Sequence, residues 1–356
     1  MSPAVDRSGP VDTVPGRDAV VGSKGGRRGG KRRRGGGGGE QSMVPEATFT
    51  SYYGRPIVKP SPWKADIPIY LFAGGLAAGS SLLAAGADLS DRPVLRRVGR
   101  MTALGGLSIS LGALVHDLGR PERFLNMLRT AKLTSPMSVG TWILSTYGPF
   151  AGMAAAAELV DLLPGDSARG PLRMVSALGR PAGLVAAVMA PPVAAYTAVL
   201  LADTATPSWH TAFKELPFVF VGSAAAASGG MGMLASPTDQ AGPARRMAAG
   251  GALLELAAGH RMESSMGIAA EPLHQGKAGR LMRASKALTV LGAVGSLVAG
   301  RSRTVSALSG AALMAGSACT RFGVFEAGQA SARDPKYTVV PQRERLERGE
   351  PIRYQG

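Results

Sequence analysis

The stretch IPIYLFAGGLAAGSSLLAAGA, residues 67–87, decides the fold class, because its 21 consecutive residues include no charged side chain. About 20 residues of helix are enough to cross the hydrocarbon core of a bilayer. A soluble amphipathic helix would show polar residues at helical period along its exposed face. This stretch shows Gly, Ala and Ser instead, which let helices approach closely in lipid. The stretch therefore predicts a membrane-spanning helix.

Seven further stretches repeat this pattern, and the composition agrees with them. Hydrophobic residues make up 45% of the 356-residue chain and charged residues 18%, below the roughly 25% that is usual in soluble domains. We interpret the Arg and Lys residues that flank the three shorter stretches as side chains that snorkel to the interface. The sequence thus predicts an all-α polytopic membrane protein, a bundle of eight transmembrane helices. The other seven predicted spans are residues 101–115, 137–157, 182–202, 216–238, 247–259, 287–300 and 304–320.

The N-terminal region differs in composition from the rest of the chain. Its segment SKGGRRGGKRRRGGGGG, residues 23–39, carries seven Lys or Arg residues among glycines, a composition that cannot bury a core. We expect residues 1–50 to form a disordered basic tail on anionic lipid. Nucleic acid is disfavoured as its partner, because no aromatic residue is interleaved. Residues 51–330 then form the membrane domain and residues 331–356 a polar C-terminal tail.

The basic tail also indicates the topology. Lys and Arg near predicted spans favour the cytoplasmic side, and an even number of spans brings both termini to one side. The loops themselves differ little in their content of Lys and Arg, so the tail supplies most of the preference. We therefore expect a multi-pass protein of the plasma membrane with cytoplasmic termini.

The alternation of spans predicts which polar residues share a face of the membrane. Consecutive spans run in opposite directions, so the starts of odd spans and the ends of even spans lie on the face of the termini. The residues assigned to that face are Asp66, Tyr70, His116, Asp117, Tyr196, Trp209, His210, Glu255, His260, Glu263 and Glu326. The acids of the opposite face lie near short connections without histidine. We therefore expect a single chemically rich face.

Two of these residues, Asp66 and Tyr196, also have a plain structural interpretation. Asp66 precedes Pro68 and is suited to cap the first helix. Tyr196 is suited to an interfacial belt, or its hydroxyl to donating a hydrogen bond to a ligand carbonyl. Glu255 is harder to explain structurally, because an ionisable group inside an apolar span is costly and normally faces a cavity, a partner or a proton path.

The chain offers few ligands for a cofactor of its own. A single cysteine, Cys319, cannot hold an iron–sulfur cluster or form an internal disulfide. The four histidines lie in predicted loops or near span ends, which disfavours a haem between facing helices. No glycine-rich phosphate loop is present, and we expect no metal site. Redox work by this chain would therefore need a diffusible carrier or the cofactors of a partner.

Five segments resemble the polysulfide reductase NrfD family of membrane subunits. The resemblance runs in order over about residues 51–345, and DLGRPERF beside a GGLAAG first span is its most specific part. The segments are SYYGRPIVKPSPWKADIPIYLFAGGLAAGS (51–80), HDLGRPERF (116–124), SPMSVGTWIL (135–144), YTAVLLADTATPSW (196–209) and RFGVFEAGQASARDPKYTVVPQRER (321–345).

The resemblance implies a subunit that carries no cofactor of its own. Such a subunit anchors a four-cluster, ferredoxin-like iron–sulfur subunit and, through it, a molybdopterin-type catalytic subunit with molybdenum or tungsten. It exchanges electrons with quinone or menaquinone as an exchangeable substrate, and some members couple this to proton translocation. If the termini are cytoplasmic, the partner is formate dehydrogenase-like or hydrogenase-like rather than an exported polysulfide reductase.

The resemblance also implies where quinone binds, between the start of the first span and the fourth. This nominates Asp66, Tyr70 and Tyr196, although the histidine that some members carry in the first span has no counterpart here. The residues we single out for a proton path are His116, Asp117, Glu255 and His260. Arg120 and Arg123, in a turn that leads into an interfacial helix, are candidates for partner docking.

Two alternatives from other functional classes remain open. Eight spans with proline breaks and an intramembrane Glu255 also suit a proton-coupled secondary transporter. Internal repeats would support that reading, and none is evident in the sequence. A purely structural membrane anchor without a quinone site is the other alternative.

Overall fold

The computed structural model describes residues 56–118, 122, 124–163 and 170–349. The predicted basic tail, residues 1–50, lies outside the described residues, as do the two predicted docking residues, Arg120 and Arg123.

The described part of the chain is helical and contains no strand, which confirms the predicted all-α class. Two short 3₁₀ turns, Gly267–Ala270 and Ala299–Arg301, join helices. The α-helices are α1 (Asp66–Leu89), α2 (Pro93–Asp117), α3 (Phe124–Leu128), α4 (Pro136–Val160), α5 (Pro171–Ala202), α6 (Pro207–Thr211), α7 (Leu216–Ala235), α8 (Gly242–Ser265), α9 (Glu271–His274), α10 (Gly276–Val298), α11 (Arg303–Arg333) and α12 (Lys336–Glu347).

Five helices are long and apolar enough to cross a membrane, so the chain is a multi-pass membrane protein. Within the described residues these are Asp66–Leu89, Pro93–Asp117, Leu172–Ala202, Leu216–Ala235 and Gly276–Arg301. Helices α4, α8 and α11 coincide with the three other predicted spans and are equally long. They are not among the five, because Ser, Thr, Tyr and Gly in α4 and charged residues in α8 and α11 lower their hydropathy. The count of eight spans stays a prediction.

Local sequence explains where several helices begin. Proline occupies the first position of α2, α4, α5 and α6, where its missing N–H has no intrahelical partner to lose. Ser135 and Ser302 cap α4 and α11 by accepting hydrogen bonds from backbone N–H groups. At the other end of the chain, α11 and α12 occupy much of the segment that the sequence suggests is a polar tail.

Helix α1 is central in the bundle. Neighbouring long helices pack as antiparallel pairs, α1 with α2, α4 with α5, α7 with α8, and α10 with α11. Helix α1 also contacts α5, α7 and α11. We call the end of the bundle where α1 begins the Asp66 end, and the end where it stops the Leu89 end.

The core has one apolar cluster toward each end. The cluster at the Asp66 end includes Tyr70, Tyr147, Tyr196, Trp209 and Phe220. The cluster at the Leu89 end is built from smaller residues around Leu83, Leu95, Met233 and Leu313. Aromatic side chains with polar groups are therefore concentrated near the Asp66 end.

Small residues bring the backbones of facing helices close together. A Cβ added at Gly79 on α1 would lie 2.9 Å from the Ala224 carbonyl oxygen on α7, and one at Gly222 would lie 2.5 Å from the Glu255 nitrogen on α8. Neither approach leaves room for a side chain. The glycines thus permit the contacts on which association of helices in lipid depends.

Trp209 offers a direct test of this close packing at the Asp66 end. Its indole N–H donates to the Val324 carbonyl oxygen at 2.8 Å, and its ring stacks on Trp63 and contacts Phe325. A Cβ added at Gly328 on α11 would overlap the indole ring. We expect Gly328→Ala to lower the free energy of unfolding by about 1–3 kcal/mol through overpacking.

The control for this prediction is Gly259→Ala on α8, where an added Cβ meets no atom within 4 Å. Replacing a helical glycine by alanine in open space should stabilise the protein by about 0.5–1 kcal/mol. Thermal unfolding of both variants in detergent measures the difference. Equal stability of the two variants would contradict the packing described for Trp209.

Candidate functional site

A pair of buried tyrosines joins α1 to α5. The Tyr70 and Tyr196 hydroxyls form a short hydrogen bond in the interior, and both side chains are buried in the apolar cluster of the Asp66 end. Buried phenolic hydroxyls normally find a partner, because an unpaired one is costly. These two residues, which lie 126 positions apart in the sequence, are thus brought together by the packing of α1 on α5.

Asp66 and His116 meet at the mouth of the same region. The Asp66 Oδ1 and His116 Nδ1 atoms lie 3.0 Å apart, and the exposed fractions of the two side chains are 24% and 79%. Asp66 makes no side-chain cap at the start of α1, where Ala65 is the N-cap residue. The structure therefore does not support the capping interpretation of Asp66. Asp117 lies next to this pair and is half-buried.

These residues form a polar column that runs inward from the Asp66 end. Asp66 lies one helical turn before Tyr70 on α1, and residues four apart on a helix are neighbours on its surface. We define the polar column as His116, Asp66, Tyr70 and Tyr196. It places a carboxylate and an imidazole near water about one helical turn from two hydroxyls in an apolar interior.

An apolar groove of about 300 Å³ lies along the first half of α4, where exposed residues such as Leu133 and Trp142 form much of its lining. Its lining also includes Met189 of α5, two helical turns before Tyr196. Gly140 of α4 faces the Tyr196 ring so closely that an added Cβ would lie 2.5 Å from it. Neither tyrosine hydroxyl lines this groove, so the column and the groove are neighbours rather than one open site.

Glu255 belongs to a separate buried group between α8, α10 and α11. The Thr320 hydroxyl donates to Glu255 Oε1 at 2.5 Å and lies 2.6 Å from the Ser285 hydroxyl. Glu255 is buried, as its position inside a predicted span requires. His260, its predicted companion, is exposed and makes no hydrogen bond within the part of the chain that the structure describes.

Arg321 is the functional candidate that sequence reasoning missed. Its side chain is 1% exposed, its Nη2 atom donates to the Phe220 carbonyl oxygen at 2.7 Å, and its guanidinium lies 3.7 Å from the centre of the Phe220 ring. Its position is also close to α1, since a Cβ added at Gly75 would lie 3.2 Å from Nη2. The interpretation of Arg321 as a flanking cation that snorkels to the interface is therefore wrong.

The residues that follow Arg321 in the sequence could have indicated that it is buried. The predicted span ends at residue 320, whereas α11 continues to Arg333. The residues FGVFEAG that follow Arg321 keep the small and apolar pattern of the preceding stretch. A charged residue with such residues on both sides is a sign of burial in the interior of a bundle.

The Leu89 end carries a dense ionic cluster, so the prediction of a single chemically rich face is wrong. Glu158 is fully buried and lies 2.6 Å from Arg96 Nε and 3.1 Å from Arg100 Nη1. Asp88 is paired with Arg96 at 3.3 Å and with Arg180 at 3.1 Å. The cluster joins the ends or starts of α1, α2, α4 and α5, which is why separate loops in the sequence did not reveal it.

At the Asp66 end, exposed ion pairs link neighbouring helices. The pairs are Lys277 with Glu326 at 2.6 Å, Lys286 with Glu263 at 2.8 Å, and Lys336 with Glu271 at 2.6 Å. The hydrogen bond from Lys336 holds the pKa of the Glu271 carboxyl below its usual range. Pairs this exposed contribute little to stability, and one of them, Lys336 with Glu271, joins α12 to α9.

A groove of about 820 Å³ also lies at the Asp66 end. Its lining includes Asp203 and His210, which follow α5, and Tyr337 of α12. Within the described ranges, no three His, Cys, Asp or Glu side chains gather as metal ligands would. The polar column, the apolar groove along α4 and this larger groove are thus the features of the Asp66 end that can bind another molecule.

The sequence was compared with known protein families and with curated proteins. The family model described as "Polysulphide reductase, NrfD" matches residues 57–241, just over half of the chain. The matched region spans α1 to α7 and contains the whole polar column, whereas Glu255 and Arg321 lie beyond it. No curated protein matches the sequence.

Proposed function

Because this chain belongs to the polysulphide reductase NrfD family, whose members are membrane subunits of polysulfide reductase-like oxidoreductases, we propose that it is a quinone-reactive subunit. In this proposal it passes electrons between membrane quinone and an iron–sulfur partner subunit. The family partners with iron–sulfur subunits of molybdoenzymes. The four-cluster form of that partner and a catalytic subunit with molybdenum or tungsten are part of the proposal.

The observation that carries the proposal is the hydrogen bond between Tyr70 and Tyr196 at the inner end of the polar column. Reduction of a quinone to a quinol takes two electrons and two protons. The electrons would come from the clusters of the partner, and the protons must reach the two carbonyl oxygens. One tyrosine hydroxyl donates to the other, so the pair has one O–H left that could donate a hydrogen bond to a quinone carbonyl oxygen.

The outer half of the polar column suits proton exchange with water. His116 is largely exposed and contacts Asp66, one helical turn from Tyr70. An imidazole and a carboxylate are both side chains that can relay a proton. In our proposal His116 and Asp117 exchange protons with water, and Asp66 passes them to Tyr70.

Proton translocation would use a second route. Glu255, buried with Thr320 and Ser285, is the proposed relay, and His260 is its proposed outlet at the same end. This group makes no described hydrogen bond to the polar column, so it is a separate element of the proposal.

Partner docking and topology complete the proposal. The Asp66 end would face the iron–sulfur subunit, with Arg120 and Arg123 and the groove beside α12 as the docking region. The protein would lie in the plasma membrane with its termini in the cytoplasm, as the basic tail favours.

One purification tests the function. The full-length protein is isolated in mild detergent, and the metal content and absorption spectrum of the preparation are recorded. Iron with molybdenum or tungsten in a co-purifying complex is expected. Recovery of the subunit alone, free of any redox partner, would overturn the proposal.

A proton-coupled transporter is the second candidate, and the buried Glu255 and Arg321 favour it. Ionisable groups inside a bundle mark ion pathways in transporters as well as in redox subunits. Reconstitution of the chain alone into vesicles discriminates the two. Proton flux without a redox partner would support the transporter.

Gly140 provides a test of the tyrosine site that leaves both hydroxyls in place. We expect Gly140→Ala to lower the rate of electron transfer to a quinone analogue by about tenfold, because the added Cβ lies 2.5 Å from the Tyr196 ring and must displace it. The control is Gly152→Ala on the same helix, where the added Cβ meets no atom within 4 Å. A Gly140→Ala variant that folds and keeps the full rate would count against the site.

A further inference from the structure

A cavity of about 550 Å³ lies within the ionic cluster of the Leu89 end. Its walls come from the end of α1, the start of α2, the end of α4 and the first half of α5. Four arginines line it: Arg92, Arg96, Arg100 and Arg180. Four guanidinium groups thus surround one cavity near the end of a membrane helix bundle, and their positive charge needs a physical reason.

Arginines pair with two carboxylates of the cluster, those of Glu158 and Asp88. Glu158 is held by Arg96, Arg97 and Arg100, and Asp88 is held by Arg96 and Arg180. Asp161 accepts a hydrogen bond from the Ser176 hydroxyl at 2.6 Å. Asp91 also lines the cavity and has no ion-pair partner among the described residues, so the four arginines of the lining face three carboxylates, those of Asp88, Asp91 and Asp161.

Several buried atoms of the cluster form no hydrogen bond within the described residues, among them Asp88 Oδ2 and Glu158 Oε2 as well as arginine nitrogens. Arg100 is only 6% exposed, and its Nε finds no acceptor among the described residues. Arg92 donates from Nη1 to the Asp239 carbonyl oxygen at 2.6 Å, and its Nε is likewise buried without an acceptor. A buried cationic donor without an acceptor is costly. The arrangement therefore fits an acceptor with several oxygens and a negative charge.

Phosphate has that chemistry. Arginine binds phosphate oxygens through paired N–H groups, and these charge-assisted hydrogen bonds are among the strongest in proteins. Basic pockets between membrane helices are suited to lipid headgroups. The cavity is also large enough for a headgroup, since ligand sites have volumes of about 300–1,000 Å³.

The surroundings of the cavity favour a lipid as the source of the phosphate. Apolar side chains at the end of α4 and the start of α5 are exposed next to it: Leu159, Leu162, Leu172, Met174 and Leu178. The exposed apolar side chains suit the acyl chains of a phospholipid, and the cationic cavity suits its headgroup.

We propose that this cavity binds the phosphate group of a phospholipid, with Arg92, Arg100 and Arg180 as its donors. The bound lipid would supply the acceptor that the Arg100 Nε lacks and would tie α2 to α5 at the Leu89 end. The site is distinct from the polar column and does not depend on the quinone proposal.

Native mass spectrometry of the full-length protein in detergent tests the site. The probes are phosphatidylglycerol, diacylglycerol with the same acyl chains, and inorganic phosphate. We expect phosphatidylglycerol to remain bound and diacylglycerol to be lost. Arg180→Gln should weaken phosphatidylglycerol binding about tenfold, because its side chain is 67% exposed and can be removed while Asp88 keeps Arg96. Arg92→Gln provides a second variant with the same expected loss.

The matched control is Arg246→Gln, an exposed arginine near the start of α8 that does not line the cavity. It should bind phosphatidylglycerol as the unmodified protein does. Binding of inorganic phosphate alone, lost in Arg180→Gln, would assign the site to free phosphate and overturn the lipid as its source. Equal phosphatidylglycerol binding by the unmodified protein, Arg180→Gln and Arg92→Gln would overturn the site itself.

Discussion

Replacing Tyr196 with phenylalanine is expected to slow electron transfer to a quinone analogue by about 100-fold. The substitution removes only the hydroxyl that meets Tyr70 in the interior. A positioned donor or acid contributes about 10²–10⁴-fold to a proton-coupled step, and we expect the lower end of that range. The measurement is quinone-analogue reduction by the purified complex under a saturating electron donor.

Tyr147→Phe is the matched control, because Tyr147 is equally buried in the same cluster. Its hydroxyl donates to the Ala77 carbonyl oxygen at 2.9 Å and lies 2.8 Å from the Ser81 hydroxyl, away from the polar column. Loss of these bonds should cost about 1 kcal/mol of stability and leave the rate unchanged.

The double variant Tyr70→Phe/Tyr196→Phe sharpens the test. Two residues that act through one shared hydrogen bond should be non-additive, so the double variant should be little slower than the slower single variant. Unchanged rates in Tyr196→Phe and in the double variant would refute the tyrosine site.

Replacing Arg321 with methionine is expected to lower the free energy of unfolding by about 3 kcal/mol. The change removes the hydrogen bond to the Phe220 carbonyl oxygen and the contact with the Phe220 ring. It also removes a positive charge that acts on the buried Glu255 carboxylate without forming an ion pair with it, and an uncompensated buried charge is costly. Unfolding in detergent, followed by temperature or by denaturant, measures the loss.

A second substitution separates the charge effect from simple loss of packing. In Arg321→Met/Glu255→Gln no buried charge is left uncompensated, so part of the stability should return. Arg280→Met, an exposed arginine of α10, is the control and should change stability by no more than about 0.5 kcal/mol. A double variant that is less stable than Arg321→Met would show that Glu255 does not depend on Arg321.

Sequence reasoning selected Tyr70 and Tyr196 but not their contact. The alternation of predicted spans assigns both residues to one face, and the family resemblance nominates them. The two hydroxyls meet because α1 lies close to α5 and because Gly140 leaves room for the Tyr196 ring. Neither the crossing of two helices nor the rotation of each about its axis can be read from hydropathy alone.

The arginines show the opposite outcome. Arg100 and Arg321 flank short apolar stretches in the sequence, where a cation ordinarily extends to the interface. In the structure both are buried, because Glu158 and Glu255 lie on neighbouring helices and the Phe220 carbonyl oxygen and ring complete the surroundings of Arg321. A buried charge is stable only with its partners in place, and those partners are distant in the sequence.

The sequence by itself determined the class of the protein, because membrane-spanning helices are specified locally. Runs of uncharged residues such as 67–87 satisfy their backbone hydrogen bonds within one segment and need no knowledge of other segments. Only the tertiary structure decided which polar groups meet: the polar column at the Asp66 end, Glu255 with Thr320, Arg321 with the Phe220 carbonyl oxygen, and the arginine-lined cavity at the Leu89 end. These features depend on contacts between side chains of different helices. Small residues along the helices are compatible with many packing arrangements, and only the tertiary structure shows which one is adopted.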